Sequence, residues 1–252
     1  MSLHHLDQQM RAIESADDDT LPVGEYLIAR LDGRGFGRLL GERALPPYDQ
    51  SVRDHLIAAA RALMQDSGFR ALYAHVHGDE ISLLVHPADR NFGRRRRKLL
   101  SILPALASAE FSLRLGQVAC FDCRVTAIPA LSTVSDYFFW RAANAERNTR
   151  IAYCRRALLA QGHDPASAAA TLAGMSVDDK QALLSAHGVD FDRLPGWQRW
   201  GVGLYWEPYE VEVPAPVTGS PVSETRRRLT VVMALPDKDH YRDFVCAVVE
   251  AG

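Results

Sequence analysis

The sequence predicts an α+β fold: a ferredoxin-like antiparallel sheet with helices on one face, followed by a helical C-terminal region. Three observations predict it. In the first half, short apolar runs with strand character alternate with stretches of helical spacing, in the order β-α-β-β-α-β. Two acidic clusters, Asp32-Gly33 and Gly78-Asp79-Glu80, each stand at the end of such a run. The second half then changes to longer helical patterns. On this reading residues 1–130 form one domain, the catalytic one, and residues 131–252 a mostly helical region packed on it.

Tyr26 to Leu31 reads as the first strand. Residues 48–65 carry Val52, Leu56, Ile57, Ala60 and Leu63 at helical spacing and end near Gly68. Ala71 to Val76 and Ile81 to Val85 read as two strands joined by a tight turn at Gly78. Residues 94–109 read as a helix that Pro104 kinks or splits, and residues 116–125 as a further strand. Residues 134–159 form a long helix ending near Gly162. Residues 165–172 and 177–187 are two short helices, the second capped by Ser176 with Asp179 at capping-box spacing. Residues 194–201 are a loop, 202–206 a strand, 214–221 an exposed loop and 229–235 a last strand. There is no internal repeat and no low-complexity linker.

A chain of 252 residues with 47% apolar residues can build a sizeable core. The net charge of -2 gives no global basic signature, so a nucleic-acid partner must meet a local patch. No apolar run approaches the roughly 18 residues of a membrane span. The polar start, Met1 to Asp19, has no signal-peptide core, and a cytoplasmic setting is expected. Cys120 and Cys123 lie three apart in a strand-like run, which turns them to opposite sides; ordinary thiols are expected there and at Cys154 and Cys246.

Asp32 and Asp79 are the first candidates for chemistry. Carboxylates at two adjacent strand ends can hold a pair of divalent cations, which activate an attacking oxygen and steady a leaving phosphate. Gly33 has no side chain to keep its carbonyl from a metal. Glu80 adjoins Asp79 and reads as a group behind the ligands. Taken singly, Asp32-Gly33 is also just a turn and Gly78-Asp79 a hairpin connection. Arg94, Arg95 and Lys98 lie together if their segment is helical and suit a triphosphate, because guanidinium groups bind phosphate oxygens in pairs; a solvated face is the other reading. Arg226 and Arg227, in the run through Arg228, suit an RNA backbone or plain surface. Residues 136–141, Asp-Tyr-Phe-Phe-Trp-Arg, read as a buried helix face or a stacking platform, with Arg147, Asn148 and Arg150 following on the same helix within reach of a nucleotide.

The order and spacing of several motifs resemble the tRNA-His guanylyltransferase family, in particular its bacterial and archaeal guanylyltransferase-like branch of 3′–5′ polymerases. They include Asp7-x-x-Met10-Arg11-x-x-Glu14, Arg30-Leu31-Asp32-Gly33-Arg34-Gly35-Phe36, Pro47-Tyr48-Asp49 and Asp79-Glu80-Ile81-Ser82. Further motifs are Phe121-Asp122-x-Arg124-Val125, Asp136-Tyr137-Phe138-x-Trp140-Arg141, Arg147-Asn148 and Gly174 with Lys180. Leu194-Pro195-x-Trp197-Gln198, the run Gly201 to Glu207 and Pro216-x-Thr218-Gly219 complete the set. The resemblance spans nearly the whole chain.

The resemblance implies a polymerase palm and two magnesium ions on Asp32, Asp79 and the Gly33 carbonyl, with Glu80 beside them. It implies nucleotide contacts from Gly33, Arg34, Gly35, Phe36 and Asn148, and triphosphate contacts from Arg94, Arg95 and Lys98. The implied reaction is addition of nucleotides to the 5′ end of tRNA, in tRNA-His maturation or 5′-end repair. ATP or GTP activates a 5′-monophosphate, and the 3′-hydroxyl of an incoming nucleotide attacks the activated end. A homotetramer is implied too. Two departures stand out: Glu146 replaces the family's histidine before Asn148, and Pro46 stands where eukaryotic members carry lysine. A cyclase-like nucleotide enzyme and a non-catalytic RNA-binding homologue are the alternatives.

Overall fold

The β-α-β-β-α-β order of the first half is present, and it is built on by the second half. A computed structural model describes residues 2–16, 18–41, 47–214 and 221–252. Pro46 and the Pro216, Thr218, Gly219 motif lie outside the described residues. The elements are α1 (Leu3–Glu14), β1 (Tyr26–Gly33), α2 (Phe36–Leu40), α3 (Gln50–Asp66), β2 (Ala71–His77), β3 (Glu80–Val85), α4 (Arg96–Leu115) and β4 (Phe121–Ile128). There follow α5 (Leu131–Ala160), α6 (Pro165–Gly174), α7 (Val177–Ala186), α8 (Gly196–Arg199), β5 (Val202–Pro214), β6 (Pro221–Val232) and α9 (Tyr241–Ala251). The strands form one sheet in the order β4-β1-β3-β2-β5-β6, with every neighbouring pair antiparallel. The first four strands have the ferredoxin-like order. β5 and β6 extend that sheet through β2, so the sheet itself crosses residue 130.

Alternation along the strands sends side chains to two cores. Leu27, Ala29 and Leu31 of β1 and Ile81, Leu83 and Val85 of β3 pack on Leu56 and Leu63 of α3 and on Leu99, Leu103 and Phe111 of α4. Ile28, Tyr73 and Leu84 face the other way, onto Val134, Phe138 and Ala142 of α5 and Val245, Val248 and Val249 of α9. The face opposite α3 and α4 is therefore covered by the C-terminal region. With both faces covered, β2 and β3 read in the sequence as continuous apolar runs. A satellite core of Cys154, Leu158, Ala168, Leu172, Leu184 and Phe191 joins the end of α5 to α6 and α7.

Local signals explain most boundaries. Asp49 accepts from the Ser51 and Val52 amides at 2.7 and 3.2 Å and caps α3. Ser176 and Asp179 form the expected capping box. α4 differs from expectation at both ends: it begins at Arg96, runs through the buried Pro104 without dividing and stops at Leu115. Gly116 then closes it in the left-handed region, φ 73°. β4 accordingly starts at Phe121 rather than Gly116, because Ala119 bonds back to the Ser112 hydroxyl at 2.9 Å. β5 is longer than expected, and β6 starts earlier and stops sooner. α1, α2, α8 and α9 are additions to the sequence reading, although Tyr241, Val245, Val248 and Val249 have helical spacing.

Gly201 lets β5 reach β2. A Cβ there would stand 2.6 Å from the His75 ring nitrogen and 2.7 Å from the Val76 carbonyl, and its φ of +92° is one that L side chains rarely adopt. Among the described residues no helix is long and apolar enough to cross a membrane.

The buried hydroxyls of Tyr73 and Tyr241 meet at 2.9 Å and join β2 to α9. Tyr241→Phe leaves the Tyr73 hydroxyl without this partner and is expected to cost about 1–3 kcal/mol in urea unfolding. Replacing both tyrosines by Phe should cost less than the sum of the single changes; strict additivity would show that the two hydroxyls are not coupled.

Candidate active site

The antiparallel register brings both acidic clusters to one end of the sheet. Asp32 is opposite Glu80 across β1 and β3, and the Gly33 amide donates to the Asp79 carbonyl at 2.9 Å. Asp79 is in the turn before β3. Burial raises its pKa first, and the nearby Asp32 carboxylate raises it further. Among the described residues Asp79 has no ion-pair partner, and Asp32 has a single one, Arg30, at 3.4 Å. Two hard oxygen donors thus approach each other without full neutralisation, the donor chemistry a magnesium ion takes.

Gly33 has a packing reason of its own. A Cβ there would fall 2.4–2.8 Å from the Phe36 ring. Phe36 is buried, 5.0 and 5.2 Å from the Phe111 and Phe121 ring centres. Gly35, φ 68°, turns the chain from β1 into α2, while Arg34 is exposed and its amide donates to the Cys120 carbonyl at 2.8 Å.

Glu80 is a strut. Arg141 of α5 approaches it at 2.6 Å and Arg30 of β1 at 2.8 Å, and all three side chains are at most 20% exposed. Burial pushes the Glu80 carboxyl up, against the pull of both guanidinium groups. Its oxygens are committed to arginines, so it holds α5 to the sheet beside the two aspartates rather than offering itself to a ligand.

A pocket of about 580 Å³ opens beside this end. Phe36, Tyr48, Val52, His75, His77, Asp79, Glu80 and Trp197 line it, and α5 contributes Arg141, Ala145, Asn148, Ala152 and Arg155. A polar network ties its walls together. The buried Thr149 hydroxyl donates to the Gln198 carbonyl at 2.5 Å and stands 3.0 Å from the Tyr48 hydroxyl. His77 Nε2 lies 2.9 Å from the same carbonyl, and His75 Nε2 lies 2.8 Å from that of Trp200. Carbonyls only accept, so both imidazoles carry their proton on Nε2. Burial lowers His75 to about 3 and His77 to about 4, and pushes Tyr48 up to about 12.

Of the predicted site residues, the structure gathers Asp32, Gly33, Asp79, Glu80 and Phe36 at one end, with Asn148 on the pocket wall. Others lie elsewhere or are already engaged. Arg94 is not helical: its φ is 51°, and its buried guanidinium donates to the Glu25 and Asp89 carbonyls at 2.9 and 3.1 Å. Arg95 pairs with Asp18 at 3.4 Å. With Lys98 they stand where α4 begins, beside residues 18–25, at the opposite end of the sheet from Asp32 within the chain. Arg226 pairs with Glu224 at 3.0 Å, and Arg227 donates to the Gly252 carbonyl. Both are on the part of the β5–β6 ribbon that runs away from the carboxylates. Arg150 packs over Phe191, 4.2 Å from the ring centre, and reaches Glu146 at 3.4 Å. Arg147 is exposed. Glu146, the family departure, is paired with Lys238 at 2.8 Å and is absent from the pocket wall. Lys180 donates to the Met175 carbonyl at 2.5 Å and braces the satellite core.

Sequence reasoning missed His75, His77, Thr149, Arg30 and Arg141 as a framework. His75 and His77 did leave a trace, as polar residues at period two in an otherwise apolar strand.

Residues 7–129 match the family model described as tRNAHis guanylyltransferase. The chain is 30% identical over 200 residues to the "Probable tRNA(His) guanylyltransferase" of Drosophila melanogaster, covering 74% of this chain and 69% of that protein. It is 28% identical to the Bos taurus protein of the same description, covering 86% and 78%. In structure it is similar to a bacterial tRNA(His) guanylyltransferase-like protein in complex with GTP, with a TM-score of 0.76 at 24% identity over 97% of this chain and 99% of that one. It is also similar to the tRNA(His) guanylyltransferase of Saccharomyces cerevisiae, with a TM-score of 0.68 at 22% identity over 75% and 88%.

Glu80→Gln should destabilise the chain by about 3 kcal/mol, because the mostly buried Arg141 loses its counter-charge and Arg30 keeps only the longer contact to Asp32 at 3.4 Å. A loss below about 1 kcal/mol in urea unfolding would show that the cluster does not hold α5. The histidines set a pH dependence. An unfolded imidazole takes a proton near pH 6.5, whereas the folded His77 does so only near 4. The unfolded chain therefore holds more protons between these values. This part of the stability is full above about pH 6.5 and falls as the pH drops, by about 1.4 kcal/mol per pH unit for each such histidine. His77→Gln keeps a donor at the Nε2 position and should reduce the slope by that amount between about pH 6 and 5; an unchanged slope would mean that His77 titrates normally.

Proposed function

This chain belongs to the tRNA-His guanylyltransferase family, a family of nucleotidyltransferases, and on that premise we propose that it is a magnesium-dependent 3′–5′ nucleotidyltransferase acting on the 5′ end of tRNA. The product is either guanosine on tRNA-His or a templated nucleotide that repairs a truncated end. The observation that carries this reading is the pair Asp32 and Asp79, brought together by the β1–β3 register and close enough for one charge to raise the pKa of the other, with Asp79 on the wall of a pocket of about 580 Å³. The relatives' names and the nucleotide complexes of similar folds point the same way.

Asp32, Asp79 and the Gly33 carbonyl would hold two magnesium ions. Bound there, magnesium supplies charge that stabilises phosphate oxygens and eases deprotonation of an attacking hydroxyl. The chain's own residues do the rest. Glu80, Arg30 and Arg141 fix the carboxylate end against α5, so that the two aspartates keep their separation when the ligand changes. Tyr48 and Trp197, with ring centres 6.3 Å apart and edge to face, offer an apolar wall to a nucleobase. Thr149 and His77 hold Tyr48 and the residue 194–200 segment in place. Asn148 provides a neutral donor and acceptor on the pocket wall, and the exposed Arg147 next to it on α5 is the RNA contact of this reading. The reading includes the homotetramer that the family resemblance implies.

Asp32→Ala and Asp79→Ala are each expected to lower nucleotide addition by at least about a hundredfold. Removing Asp79 also relieves a partly buried like-charge contact, so its melting temperature should stay level or rise. The assay uses labelled tRNA lacking its first 5′ nucleotide, with magnesium, ATP and the four NTPs, and resolves products by length. Retained activity in either variant would sink the two-ion reading. Extension that stops at the full-length acceptor supports templated repair, and a single added guanosine on intact tRNA-His supports maturation.

A further inference from the structure

Three arginines line the pocket: Arg53, Arg141 and Arg155. Two are committed. Arg141 is held by Glu80 at 2.6 Å. Arg53 pairs with Asp54 at 2.8 Å and lies over Trp197, 4.6 Å from the ring centre. Arg155 is exposed, and among the described residues its side chain has no hydrogen bond, ion pair or ring contact.

Its place on α5 adds direction. Arg141, Ala145, Asn148, Ala152 and Arg155 follow one another at intervals of four, three, four and three, a single stripe about 80° wide. The two alanines keep the stripe low, so it forms the floor of a groove with a guanidinium at each end. Fourteen residues at the helical rise put Arg155 about 21 Å from Arg141 along the axis. The inner end is crowded with carboxylates, which repel a phosphate unless cations intervene. The outer end carries an unopposed guanidinium, whose planar fork matches two phosphate oxygens. The basic residues expected to hold phosphate, Arg94, Arg95 and Lys98, stand at the far end of the sheet and leave this place unfilled within the chain.

We propose that Arg155 binds a terminal phosphate group of the substrate at the outer end of this groove. The phosphate belongs to the polyphosphate tail of a nucleoside triphosphate or to the 5′ phosphate of the RNA. This rests on the reading of the pocket as a nucleotidyl-transfer site. Arg155 stands well away from Asp32 and Asp79, so it is a binding residue and acts on affinity rather than on the chemical step.

The test is equilibrium binding to the full-length chain, its Arg155→Gln variant and its Arg155→Lys variant. The ligands are ATP, a 5′-monophosphorylated tRNA and the same tRNA with a 5′ hydroxyl. Arg155→Gln should weaken one phosphate ligand about tenfold or more while leaving the melting temperature unchanged, and Arg155→Lys should recover part of the loss. The difference between wild type and Gln should shrink as salt rises. A loss confined to ATP assigns the polyphosphate tail; a loss for the 5′-phosphorylated RNA but not its 5′-hydroxyl counterpart assigns the RNA end. Unchanged affinity for all three ligands overturns the proposal, as does an equal loss on both RNAs, which would mark a backbone contact. A wild-type chain that binds ATP but extends no RNA would defeat the catalytic reading, while the binding ratios would still judge Arg155. A wild-type chain that binds none of the ligands defeats both.

Discussion

The ion cluster of Glu80 with Arg30 and Arg141 is the constraint on which the site depends. It is mostly buried, and it joins three elements: β1 carries Arg30, β3 begins at Glu80 and α5 carries Arg141. Buried ion pairs add little net stability against an apolar replacement, but losing one partner is costly. Such a cluster therefore specifies geometry more than it stabilises the fold. Here the geometry specified is the seat of α5 across the strand ends that bear Asp32 and Asp79. The two arginines also offset part of the repulsion among three carboxylates crowded at one end of the sheet.

The α5 face of the sheet changes character along its length for the same reason. At the end where α5 begins, Ile28, Leu84 and Tyr73 meet Val134 and Phe138 in an apolar core. Further along the face turns polar: Glu80 meets Arg141 and His77 meets Thr149, with Arg30 and Asp32 paired beside them on β1. Apolar burial holds the helix down at one end, while directed polar contacts set its angle and leave a groove at the other. The histidines remain neutral there because burial disfavours their charged form and the carbonyls of Gln198 and Trp200 need only a donor. The segment 194–200, irregular in sequence, is thereby fastened to β2 and forms a pocket wall.

The ferredoxin-like core was legible because each of its elements carries its own signal. β1, β2 and β3 are short apolar runs, and α3 and the long α5 show helical spacing. The capping box at Ser176 and Asp179 was legible for the same reason, since a cap is a contact between near neighbours. β4 was misplaced at its start because residues 116–120 look strand-like, while the hydrogen bonds of Ala119 go back to Ser112 in α4. The extent of the β5–β6 ribbon was underestimated because Pro208 interrupts β5 and its short alternation of Tyr209, Val211 and Val213 faces charged partners on β6, Arg226 opposite Tyr209 and Glu224 opposite Val211.

The sequence by itself determined the aspartates of the candidate site, the strand ends that carry them and the family to which the motifs point. These are properties of local pattern and residue type. Only the tertiary structure decided which charges act together. Charge runs such as Arg94 to Lys98 and Arg226 to Arg228 are conspicuous in a sequence, yet strand direction places both at the end of the sheet away from Asp32. Arg30, Glu80 and Arg141 are inconspicuous and far apart in the chain, yet they converge to within 2.8 Å. A charge is recorded by its residue, but its partner is set by the register of antiparallel strands and the docking of a helix, and neither is a local quantity.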